Sequence, residues 1–70
     1  MILDQQSLLE MFHQVTHNSV WGIICRKATL NDLDSLVMSL KSQLKDNPLM
    51  MRSIIGTELY NVVNNITEIQ

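Results

Sequence analysis

Residues 29–47 read TLNDLDSLVMSLKSQLKDN, and the apolar ladder inside them decides the fold. Leu30, Leu33, Val37, Leu40 and Leu44 follow one another at steps of three, four, three and four. An α-helical turn takes about 3.6 residues, so these five side chains fall on one stripe. A second ladder begins after Pro48, with Met51, Ile55, Leu59, Val62, Ile66 and Ile69. Between the two stands Asp46-Asn47-Pro48, where Asn47 caps and Pro48 takes the first helical position, which does not need its missing N–H. Two stripes joined by one turn predict a helical hairpin.

The ends of these helices carry matching signals. Thr29 caps the first helix of the hairpin, with Asp32 three residues on, and Lys41 and Lys45 sit near the other end, where cations are favoured. Upstream, Asp4 is an N-cap, and Leu3 and Leu8 occupy the positions of a hydrophobic staple. Leu8, Leu9, Met11, Phe12 and Val15 then share a broad face, and His17-Asn18 offers an end. Residues 19–28 break near Ser19 or Gly22 and predict a short helix, an extended connector or a short strand. Gly56 interrupts the last helix at about 0.8–1.0 kcal/mol relative to Ala, which predicts a kink or a close packing contact. The predicted architecture is one all-α domain over 1–70, with helices near 4–18, 29–45 and 48–68. It is a helical hairpin or three-helix domain completed as a homodimeric bundle.

Size argues for that completion. A single core in a chain of 70 residues supplies only about 3–5 kcal/mol, and short chains usually add disulfides, a metal or a second copy. Cys25 is the one cysteine, so no disulfide forms within the chain, and a lone thiol fits a reducing, cytoplasmic setting. The apolar content of 46% excludes a wholly disordered chain. The apolar run at Pro48–Met51 is far short of the roughly 20 residues of a membrane span, and no export signal is visible near Asp4 and Glu10. Net charge is −2, and the five basic residues are scattered, which disfavours free nucleic acid as a ligand.

Candidate chemistry is sparse. Glu10, His13 and His17 form E-x-x-H-x-x-x-H, which on a continuous helix would share a face, and Cys25 could complete a tetrahedral zinc site. The simpler reading makes the trio the solvated face opposite Leu8, Phe12 and Val15, so no metal and no cofactor is expected. Cys25 beside a histidine lacks an orienting third group and an oxyanion turn, and it reads as a small buried hydrophobe. No enzyme is expected.

What remains is surface for partners. The second ladder together with Leu49, Gly56, Tyr60 and Val63 makes the last helix apolar over half its circumference, wider than one neighbour requires. Trp21, Met38, Leu49 and Tyr60 are apolar residues that the regular stripes do not need, and they form the expected partner interface. Leu33, Val37, Leu40, Leu44, Ile55, Leu59, Val62 and Ile66 form the expected dimer core. Ser35-Leu36-Val37-Met38-Ser39-Leu40 followed by a second helix resembles small dimeric two-helix regulators of bacterial biofilm and acid-resistance genes. The resemblance covers about half of the chain and consists mostly of general helix pattern, and the acidic ending of that family is missing here.

The expected role is a non-catalytic regulator or inhibitor that pairs with itself and docks on another protein. Association with small standalone chains makes a bacterial or phage origin the natural expectation. The alternative is a dimeric repressor that joins Lys41, Lys45 and Arg52 of one copy to Arg26 and Lys27 of the other in a composite basic patch.

Overall fold

The computed structural model describes residues 2–69, and its architecture is all-α. Helix α1 spans Gln5–His13, α2 Val20–Arg26, α3 Leu33–Asp46, α4 Pro48–Ile55 and α5 Thr57–Asn65. A 3₁₀ turn, Leu30–Asp32, leads into α3. Two short segments, β1 (Ile2–Leu3) and β2 (Glu68–Ile69), pair in parallel, with Ile2 opposite Glu68 and Leu3 opposite Ile69.

Helix α1 starts where its sequence places it. The Asp4 carboxylate accepts from the Ser7 amide at 3.1 Å, while Leu3 and Leu8 pack against the core. It stops at His13 instead of running to residue 18. The amides of Gln14 and Val15 donate to Met11 and Phe12, three residues back, which tightens the last turn. Val15 is thereby buried, and the chain turns away before His17-Asn18.

Residues 19–28 resolve as a helix rather than a strand or connector. Ser19 is the N-cap of α2, and its hydroxyl accepts from the Gly22 amide at 3.1 Å. Gly22 lies inside α2 because the helix crosses the preceding backbone closely: a Cβ built there would stand 1.9 Å from the His17 carbonyl oxygen. One turn later Arg26 Nη1 donates to the carbonyls of Val15 (3.1 Å) and His17 (3.0 Å). Gly22 and Arg26 thus hold the 14–18 segment against α2.

The hairpin begins later than its ladder predicts. Asp32 Oδ2 accepts from Thr29 N at 3.0 Å and from Thr29 Oγ1 at 2.9 Å, closing the 3₁₀ turn. A 3₁₀ turn advances about 120° per residue. Leu30 therefore leaves the stripe and is exposed, whereas Leu33, Leu36, Val37, Leu40 and Leu44 are buried along α3.

The expected continuous helix over 48–68 is two helices. Gly56 sits between α4 and α5 with φ 87° and ψ 157°, and a Cβ built there would meet nothing within 4 Å. The backbone angle, not crowding, is what requires glycine. Gly56→Ala is therefore expected to lower stability by about 1–3 kcal/mol. Denaturant unfolding would measure it, and an unchanged midpoint would show that the junction adopts another conformation at no penalty.

Phe12, Leu8, Leu33, Leu40, Met51, Ile66, Val63 and Cys25 fill the centre, and no described polar or charged residue is buried. The accessible surface is 4424 Å², and a monomeric protein of 8.0 kDa presents about 4450 Å². One chain closes its own core. Among the described residues no helix is long and apolar enough to cross a membrane.

Candidate functional site

Of the eight residues expected to form a dimer core, seven are already buried within the one chain. They are Leu33, Val37, Leu40, Leu44, Ile55, Leu59 and Ile66. Val62 is only partly buried, and Val63 takes the central place.

Helix α2 is apolar except for Arg26, and only Gly22 and Cys25 are buried in it. At about 100° per residue, Val20, Ile23, Ile24 and the following Lys27 share the outward face. Val20 is 73% exposed, Ile23 41% and Ile24 42%, where a surface helix ordinarily shows polar groups. Beside this face lies a groove of about 490 Å³ between α2 and α3. Trp21, Ile24, Ala28 and Leu36 give it an apolar lining. Ser35 and Ser39, one helical turn apart on α3, form a wall of low bulk, and Lys27 and Asp32 also border it.

The four residues expected to form the partner interface do not gather in one place. Trp21 lines the α2–α3 groove, partly buried against the core. Met38 is exposed in a different groove, with Asp34, Val37, Lys41, Ile66 and Ile69. Leu49 stands 78% exposed at the start of α4. Tyr60 packs on the core and carries the Arg52 guanidinium 4.7 Å above its ring centre. Of the four, only Trp21 borders the α2 face. Sequence reasoning missed Val20, Ile23, Ile24 and Leu30 as surface. The available signal was that Val-Trp-Gly-Ile-Ile has no polar side to turn outward in any helical register.

The metal-ligand alternative is not assembled. With α1 ending at His13, Glu10, His13 and His17 do not share a helix, and the His13 ring Nε2 is 2.8 Å from the Ala28 carbonyl oxygen. Among the described residues no three His, Cys, Asp or Glu side chains are grouped to hold an ion. Cys25 is fully buried, and burial pushes its thiol up to about 11, with Arg26 opposing. It is kept as a thiol near neutrality, which is the unreactive form.

The basic residues are mostly engaged by the fold itself. Arg26 clamps the 14–18 carbonyls, Arg52 lies on Tyr60, and the Lys41 ammonium donates to the Ile66 carbonyl. Lys27 borders the α2–α3 groove, whereas Lys45 borders a separate hollow with Ser42 and Asn64. No protein-family model, curated protein or solved structure matches the chain.

Proposed function

We propose that this chain is a non-catalytic regulator or inhibitor that works by protein–protein contact through the apolar face of α2 and the groove beside α3. One observation carries the reading: Val20, Ile23 and Ile24 are exposed together on a helix whose neighbouring groove is apolar. Clustered apolar surface of this kind marks interaction sites in small proteins. The protonated, enclosed Cys25 and the dispersed histidines support a binding role over nucleophilic chemistry. Self-association belongs to the same reading, now through the α2 face in place of the α3–α5 stripes.

Ile24→Asp separates binding from folding. Ile24 is already exposed to water, so the unfolding free energy should change by no more than about 0.5 kcal/mol. Proteins retained by the immobilised wild-type chain from its own cells should be lost. An equally stable Ile24→Asp chain that retains the same proteins would overturn the proposal.

A further inference from the structure

We infer that the α2 face is self-complementary and seats the same face of a second copy of this chain about a twofold axis, with Lys27 of each copy against Asp32 of the other. The inference rests on the docking role proposed for this face and names its occupant. Four of the eight strongly exposed large apolar side chains, Val20, Ile23, Ile24 and Leu30, fall within this one stretch of chain. Ile23 and Ile24 precede Lys27, and Leu30 follows it beside Asp32 on the 3₁₀ turn. A twofold axis passing near this corner places the α2 residues of one copy over the 3₁₀ turn and groove of the other.

Charge selects the occupant. Lys27 and Asp32 both border the groove, one cation and one anion. The two bonds to Thr29 both use Asp32 Oδ2, and Oδ1 takes part in neither. A strongly charged partner, whether a polyanion or an acidic peptide, would match one of these groups and oppose the other. A second copy matches both with a single rotation, because in an isologous contact residue i meets j and j meets i. The available area sets the strength. The molecule measures 28 × 22 × 18 Å, so even its broadest side projects only about 600 Å², the low end per partner for a specific interface, and the α2 face is part of that side at most. The pair should therefore be small and reversible on dilution.

Sedimentation of wild type, Lys27→Glu, Asp32→Lys and Ile24→Asp over a hundredfold dilution tests this, with far-UV circular dichroism confirming that each is folded. Wild type should pass from dimer to monomer. Each variant alone should associate at least tenfold more weakly, since it places like charges together or a carboxylate in the apolar face. An equimolar mixture of Lys27→Glu and Asp32→Lys should recover the dimer, because both cross-contacts then join opposite charges. Should Asp32→Lys lose its fold with the Thr29 contacts, Lys27→Glu and Ile24→Asp carry the comparison. A monomeric wild type, variants that dimerise like wild type, or a mixture of two folded variants that stays monomeric would each overturn the inference. If the wild type is monomeric while Ile24→Asp still loses the retained proteins, the docking role stands and only its occupant is wrong. A dimer that needs the face, with retained proteins unaffected by Ile24→Asp, would instead uphold the self-pairing and remove the docking of other proteins there.

Discussion

Leu40→Asp is expected to leave the chain without a stable fold. Leu40 is fully buried in the middle of α3, in a core to which no described polar side chain contributes. Removing the leucine packing costs about 2–5 kcal/mol by itself. The carboxylate then has no buried donor to meet, and burying it unpaired adds several kcal/mol unless it takes up a proton. A domain of this length has in total about 4–10 kcal/mol to lose. Loss of far-UV helical ellipticity at neutral pH would bear this out, and a cooperative melt near the wild-type temperature would contradict it. Met38→Asp, two residues away on the exposed side of the same helix, should leave the melt almost unchanged.

Gly22→Ala should have the next largest effect, although it adds a single methyl group to a helix. The methyl carbon would sit 1.9 Å from the His17 carbonyl oxygen and 3.0 Å from its carbon. Both are backbone atoms, so no side chain can swing aside. Either α2 moves outward or the 14–18 segment does, and each movement parts Arg26 from the carbonyls of Val15 and His17. Overpacking alone costs about 1–3 kcal/mol and occasionally more, and the lost polar contacts add to it. We expect a loss of about 3 kcal/mol in chemical denaturation. Intrinsic helix propensity points the other way, since alanine exceeds glycine by about 1 kcal/mol. A stabilised variant would therefore show that the close crossing is absent.

Much of the fold was legible because its strongest signals are local. The α3 stripe, the Asp4 cap, the turn at Asn47-Pro48 and the inward Cys25 all depend on residues within a turn or two of one another. The departures arise where distant backbone intervenes. Nothing near Gly22 in the sequence announces that the His17 carbonyl oxygen lies over it. Gly56 reads as a kink, but only its positive φ shows that the helix ends and restarts there, and the steps of four that continue through Met51, Ile55, Leu59 and Val63 bury Val63 in place of Val62. The candidate site was less legible for the same reason. Burial of both ladders could be satisfied by a second copy or by α1 and α2 folding over the hairpin, and the periodicity is identical in the two cases. Once α1 and α2 cover the hairpin, the exposed apolar surface moves to α2, the stretch with no amphipathic pattern.

The parallel pairing of β1 with β2 ties the ends of the described chain to each other. The α3–α4–α5 contacts join neighbours along the sequence and can close early, whereas this tie spans nearly the whole chain. It has only two residues on each side, and the loop-closure entropy it must overcome favours its forming after the docking of what lies between. The backbone amides there should exchange with solvent well ahead of those in α3, through openings that leave the helices intact. The tie is thus a late latch on a bundle that is already assembled, and loosening it should change the unfolding rate more than the folding rate.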